Sequence, residues 1–242
     1  MNFFFKKDKS KAQDYQFYNN LTKILGFKPK KIDIYKKAFT HSSVKEFTKE
    51  GKPLNYERLE FLGDTVISTV ISDYLFKKAP LGDEGYLTQM RSKIVSRNNL
   101  NRVGKELNLI RFIKSNVRKN RYGDNIHGNV LEALVGAIYI DKGFKFCTKF
   151  IQAKVIGNYL NISDLETQIS SYKSLLIEWC QKEKKDYTFD IYEDSGNDTK
   201  RHYSVKLFID HKQISKARDT SKKKAEEKAS KRGFYALKNT IK

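Results

Sequence analysis

Asn55-Tyr56-Glu57-Arg58-Leu59-Glu60-Phe61-Leu62-Gly63-Asp64-Thr65-Val66-Ile67 opens an apolar run that continues through Val70, Ile71, Tyr74 and Leu75. The recurrence at three and four residues predicts a helix packed into a core. Three acids are set into it. Glu57, Glu60 and Asp64 stand at i, i+3 and i+7, which at about 3.6 residues per turn puts them on one stripe, within about 60° of arc. Carboxylates crowded in this way repel one another, and apolar neighbours such as Leu59, Phe61 and Leu62 raise the cost of ionising them, so the stripe calls for a cation. The cation is either a divalent metal or an Arg or Lys for each acid, with Arg58 the first candidate.

A second segment, Gly128-Asn129-Val130-Leu131-Glu132-Ala133-Leu134-Val135-Gly136-Ala137-Ile138-Tyr139, is as apolar as the first, and Glu132 is its only acid before Asp141. Ala133, Gly136 and Ala137 are small enough to let two helices approach closely. Two buried helices that each bring oxygen ligands to their contact suit a hard cation, Mg²⁺ or Mn²⁺.

Residues 55–64 resemble the signature of ribonuclease III, the double-stranded-RNA endonuclease, and Gly128 to Asp141 resembles that family's second metal-binding helix. The resemblance runs from about residue 16 onward. It implies an all-α endonuclease domain that hydrolyses both strands of duplex RNA in rRNA and mRNA processing, leaving 5′-phosphate and 3′-hydroxyl ends. Glu60, Asp64, Asn129 and Glu132 would be the metal positions, with Asp64 and Glu132 catalytic. The second helix departs from the family pattern: where D-x-x-E is usual, this chain has Asn129-Val130-Leu131-Glu132, and an amide offers an oxygen but no charge. The departure keeps open a non-cleaving, duplex-RNA-binding scaffold of the same fold.

The resemblance also implies homodimerisation through the catalytic domain, for which Phe61, opposite the acid stripe, is an interface plug or simply core. Asp83-Glu84-Gly85, followed by Leu87 and Arg91, is similar to the family's D-E-G-x-L-x-x-x-R segment. This puts Glu84, with Glu57, near the catalytic centre; an acid favoured at a helix N-terminus is the other reading. Thr40-His41-Ser42-Ser43 resembles a T-H-x-S segment of the family, and His41 is read as holding a helix terminus.

Composition agrees with a polyanionic partner. Lys and Arg outnumber Asp and Glu by 48 to 28, a net charge of +20 over 242 residues, which points to nucleic acid or an anionic membrane surface. No apolar run reaches the roughly eighteen residues needed to span a bilayer, and Met-Asn-Phe-Phe-Phe-Lys-Lys is too short an apolar stretch for a signal peptide. A cytoplasmic protein without a small-molecule cofactor is expected. Cys147 and Cys180 make no metal-binding pattern and read as reduced, partly buried thiols.

In chain order, residues 1–14 read as a mobile basic leader and 15–160 as the catalytic domain, with helices over Tyr15–Gly26, Ile32–Phe39, Asn98–Leu109 and Phe144–Tyr159 and no strand. The loop Lys114–His127 carries Lys114, Arg118, Lys119 and Arg121, either a solvated run or a phosphate contact. Residues 161–170 read as a linker. Beyond it the pattern changes. An amphipathic helix Tyr172–Lys182 is followed by alternating stretches Tyr187–Tyr192 and Tyr203–Ile209, a third strand around Gln213–Ala217, and a last helix opened by Ser221-Lys222-Lys223-Lys224-Ala225-Glu226. The order α-β-β-β-α with this helix start is similar to a double-stranded RNA-binding domain over 171–242. Such a domain reads shape, 2′-hydroxyls and phosphates over about 16 bp. On that resemblance Ser174 and Glu178 face a minor groove, and Lys222 and Lys223 meet phosphates at a helix N-terminus. Two further departures stand out: Gly196-Asn197-Asp198-Thr199 lacks the proline and histidine of the family's turn, and Glu226 replaces a third lysine. Residues 171–242 hold 18 Lys and Arg against 11 Asp and Glu, a net +7 of the total +20, so both parts are basic.

Overall fold

A computed structural model describes residues 3–118, 121–157, 171–194 and 201–237. The chain separates into two compact units, residues 1–165 and 166–242. The expected linker at 161–170 lies outside the described residues.

The first unit is helical, in the order α1 Phe3–Leu25, α2 Ile32–Ala38, α3 Glu57–Lys78, α4 Glu84–Ile94, α5 Arg97–Glu106, α6 Ile126–Lys142 and α7 Phe144–Ile151. Its described residues contain no strand, only two isolated bridges, Thr40 to Lys114 and Phe47 to Pro53. α6 is the axis. Val130, Leu131, Leu134, Val135 and Ile138 are all fully enclosed, because α2, α3, α5 and α7 pack around it. At its end Asp141 accepts hydrogen bonds from the Lys30 and Lys31 amides, each at 2.9 Å, and from the Tyr35 hydroxyl at 3.0 Å. A carboxylate there anchors the start of α2.

Three expectations need correction. α1 begins at Phe3, not at Tyr15, so the segment read as a mobile leader is helical from residue 3. Residues 11–16 are all exposed and supply no apolar stripe to read, yet the span 3–25 contains no Gly or Pro to stop a helix. Gly26, at φ +75°, ends it, with its amide bonded to the Thr22 carbonyl at 2.9 Å. The α5 segment ends at Glu106, and a 3₁₀ turn over Leu109–Phe112 follows the left-handed Asn108. Finally, α7 passes into a π-helical turn over Gln152–Ile156, closed by the Gly157 amide on the Gln152 carbonyl at 2.7 Å; Tyr159 lies outside the described residues.

The second unit carries α8 Tyr172–Lys182, β1 Tyr187–Glu193, β2 Tyr203–Ile209, β3 Lys212–Asp219 and α9 Lys222–Ala236. The strands form an antiparallel sheet in the order β1-β2-β3, as the alternation predicts. Val205, Leu207, Ile209 and Ala217 turn inward and meet Leu176, Trp179 and Cys180 of α8 and Ala225 and Ala229 of α9. β2 and β3 are joined by Asp210 and His211, both with positive φ, the twist that a two-residue hairpin turn requires. The Asp210 carboxylate is fastened by Lys185 at 2.7 Å and the Asp186 amide at 3.1 Å. Residues 196–199, where the family turn is altered, lie outside the described residues.

Candidate functional site

The site in the first unit follows from two glycines. A Cβ on Gly63 would lie 1.7 Å from the Glu132 carbonyl oxygen, and one on Gly136 would lie 2.2 Å from the Leu59 carbonyl oxygen. α3 and α6 therefore touch backbone to backbone, at a separation only glycine permits. Gly63 lies between Glu60 and Asp64 in sequence, so the contact delivers Glu132 to the acid stripe of α3.

The electrostatics record the meeting. Burial, followed by the charges of Asp64 and Glu60, raises the Glu132 carboxyl from its ordinary 4.5 to about 7, with Arg97 opposing. Glu60 is also raised, first by burial and then by Glu57, with Arg97 again opposing and Asp64 adding. Glu57 itself is held from Asn55, whose amide donates to its carboxylate at 3.2 Å while the Asn55 carbonyl oxygen accepts from the Glu57 amide at 3.2 Å. Among the described residues no three His, Cys, Asp or Glu groups converge tightly enough to enclose a metal ion with the side chains as they stand. The donor set nevertheless suits a hard cation: it is all oxygen, and it leaves mutual repulsion that one basic group only partly relieves.

That basic group is Arg97, at the start of α5, and not Arg58. Nothing in the sequence marked Arg97, because it approaches the acids only through the packing of α5 on α6. Asn129, one turn before Glu132, bears on the buried Tyr56: burial raises that phenol and the Asn129 side chain opposes the rise. The structure does not bring Glu84 to this cluster within the chain. As the first residue of α4, after the N-cap Asp83, it accepts from the Thr88 hydroxyl at 3.0 Å. It lines a separate recess with Thr69, Ser72, Asp73 and Phe76, between about one and three turns beyond Asp64 along α3. The reason is topological: α4 folds back on the C-terminal half of α3. Phe61 is 79% exposed, beside an apolar recess formed with Leu59, Leu62 and Ile140.

His41 caps a 3₁₀ turn, its Nδ1 accepting from the Ser43 amide at 3.1 Å. Lys114 pairs with Glu46 at 2.5 Å, and Arg118 and Arg121 are exposed; Lys119 lies outside the described residues. Cys147 and Cys180 are free and fully buried, more enclosed than expected, and burial pushes the Cys147 thiol up to about 12.

In the second unit Ser174 and Glu178 are exposed one turn apart on α8, and Lys222 and Lys223 are exposed at the start of α9. Ser221 caps that helix through the Lys224 amide at 3.3 Å. Glu227 accepts from the Tyr172 amide at 2.6 Å and the Ser171 hydroxyl at 2.8 Å, which sets the first turns of α8 and α9 side by side. Glu226 is neutralised by Lys173 at 2.8 Å, so the acid in the expected lysine's place does not confront a polyanion with a free charge.

A ribonuclease-III-like family model matches residues 31–159, and a double-stranded RNA binding motif matches residues 172–234. The chain is 59% identical over 225 residues to ribonuclease 3 of Zunongwangia profunda, covering 93% of each, and 55% identical over 230 residues to ribonuclease 3 of Flavobacterium psychrophilum, covering 95% of this chain and 94% of the relative. Among solved structures, the nuclease domain of ribonuclease III from Campylobacter jejuni superposes with a TM-score of 0.52 at 32% identity, covering 60% of this chain and 97% of that one. Another structure of that domain, whose subject is flexibility in a region involved in dimer formation, gives a TM-score of 0.51 at 32% identity over 58% of this chain and 96% of that one. Similarity that runs through both units in the same order, and along nearly the whole length of the relatives, reaches well beyond the acidic motifs themselves: the chain belongs to the ribonuclease III family.

Proposed function

We propose that this double-stranded-RNA endoribonuclease works through Mg²⁺, or Mn²⁺ in its place, held by Glu60, Asp64 and Glu132, and that it leaves 5′-phosphate and 3′-hydroxyl ends. The observation that carries the reading is the glycine contact between α3 and α6, which sets the half-buried Glu132 against the acid stripe of α3, where burial and then the charges of Asp64 and Glu60 raise its carboxyl. A divalent ion held by Glu60, Asp64 and Glu132 would supply an acidified water and charge stabilisation for the leaving 3′-oxygen. The chain's own groups prepare the place. Asn55 orients Glu57, which adds negative field at Glu60. Arg97 offsets part of the repulsion so that the cluster persists before metal arrives. Asn129, engaged with Tyr56, contributes an oxygen without charge and lowers the metal affinity relative to an aspartate.

Duplex RNA is held by the second unit, through Ser174 and Glu178 in a minor groove and Lys222 and Lys223 on phosphates. Phe61 and its apolar recess are the contact through which two copies pair, each cutting one strand. Action in the cytoplasm on structured rRNA and mRNA precursors follows the same reading; among the described residues no helix is long and apolar enough to cross a membrane.

The neutral Asn129 favours the second reading, a scaffold that binds without cutting. One experiment separates the two: incubation of the protein with long double-stranded RNA, single-stranded RNA and double-stranded DNA, with Mg²⁺ or with EDTA. Cleavage of duplex RNA alone, and only with metal, is expected. Duplex RNA that is bound but intact at every Mg²⁺ and Mn²⁺ concentration makes the protein a scaffold.

A further inference from the structure

The sheet of the second unit has a face that the helices leave uncovered. Its inward residues, Val205, Leu207, Ile209 and Ala217, pack on α8 and α9, so the alternate residues Tyr192, Lys206, Lys216 and Arg218 look the other way. Lys206 and Lys216 stand directly opposite each other on β2 and β3, and like charges in that position repel. Both ammonium groups nevertheless converge on one aromatic ring: Lys206 Nζ is 5.7 Å and Lys216 Nζ 5.8 Å from the centroid of Tyr192. Lys216, acting chiefly on the Tyr192 hydroxyl, holds that phenol below its ordinary value.

The carboxylates nearby compensate the two lysines only in part, Asp194 acting on Lys216 through its charge alone. Asp190 is the register neighbour of Lys206 on β1, but neither lysine forms a carboxylate ion pair among the described residues. Asp194 is engaged elsewhere, by the Ser204 hydroxyl at 2.7 Å and by Arg218 at 3.7 Å. The face thus presents a partly exposed aromatic ring beside two cations that make no carboxylate ion pair among the described residues.

We infer that Tyr192, Lys206 and Lys216 form a second RNA-binding surface, for an unpaired strand, on the face of the sheet opposite the helices that carry the duplex contacts. An A-form duplex keeps its bases stacked and gives a tyrosine ring nothing to stack on, whereas an unpaired nucleotide offers a base to the ring and phosphates to the lysines. The enzyme then prefers duplexes that carry single-stranded tails. The inference builds on the reading that α8 and α9 hold the duplex, and the test separates the two.

Binding is measured in EDTA, with the full chain, to a blunt RNA duplex and to the same duplex carrying an unpaired tail of about ten nucleotides. For the parent protein the tail raises affinity by about five- to tenfold, the scale of one stacked base. The double variant Lys206→Gln with Lys216→Gln, and separately Tyr192→Leu, remove that gain while blunt-duplex affinity stays within about twofold. Unchanged far-ultraviolet circular dichroism verifies folding, and the lysine variant alters only side chains whose charged ends lie at the surface. A tail that adds nothing in the parent overturns the inference, as does a tail effect that survives both variants. An equal loss of blunt and tailed binding in a folded variant also overturns it, since the face would then serve the duplex itself; blunt-duplex binding preserved throughout leaves the function proposed above standing.

Discussion

Glu132 binds its proton more tightly in the folded chain, at about 7, than at its ordinary 4.5. The folded state is therefore favoured at low pH, and that contribution is lost as pH rises from about 4.5 through about 7. In EDTA the unfolding temperature of the first unit falls across that window, and Glu132→Gln, which cannot ionise, flattens the fall. A variant whose melting profile tracks the parent's at every pH removes Glu132 as the source. Mg²⁺ acts in the opposite sense, because it needs the carboxylate: stabilisation by added metal grows as pH rises through 7. The acids themselves were legible, since 3.6-residue spacing is a local property that places Glu57, Glu60 and Asp64 on one stripe. Arg97 was not, because its approach depends on how α5 lies against α6. The influence of Asn129 on Tyr56 was hidden for the same reason, spanning α6 and the residue before α3.

The paired contacts of Gly63 and Gly136 govern the α3–α6 crossing. A methyl group at Gly63 would be 1.7 Å from a backbone carbonyl oxygen, and neither helix can yield without moving the other. Gly63→Ala is expected to cost at least about 3 kcal/mol and to lower the unfolding temperature of the first unit by about 6–12 °C. Any protein that still folds cuts poorly, because Glu132 is displaced from Glu60 and Asp64. A melting temperature within about 2 °C of the parent contradicts so close a crossing. The small residues of α6 signalled such an approach from the sequence, and the alternation of β1, β2 and β3 marked the strands directly. The start of α1, exposed over residues 11–16, carried no such mark, nor did the π-helical turn at Gln152–Ile156, because pattern reading detects a helix by its buried stripe. Glu84 shows the limit of motif distance: after Asp64 the remainder of α3 carries the chain away from the acids, and α4 opens with Glu84 beside the C-terminal half of α3.

At the scale of the molecule, two basic units divide the labour, one gathering carboxylates and the other presenting lysines. Residues 171–242 are expected to bind duplex RNA with an affinity that falls steeply with salt, as phosphate neutralisation releases counterions. Lys222→Ala with Lys223→Ala weakens that binding uniformly across RNA sequences and flattens the salt slope by about one to two units; an unchanged slope means that these lysines only meet solvent. The two-part plan was visible in the polar stretch 161–170 and in the alternation of period about 2 that begins at Tyr187, whereas Lys173 neutralising Glu226 required the packing of α8 on α9. The most direct measurement of the central claim follows duplex-RNA cleavage by Glu132→Gln across a Mg²⁺ titration, with RNA binding measured in EDTA alongside. If Glu132 shares a metal with Glu60 and Asp64, cleavage falls by at least about a hundredfold and duplex binding stays within about twofold of the parent; turnover within about tenfold of the parent at the same Mg²⁺ requirement contradicts the assignment.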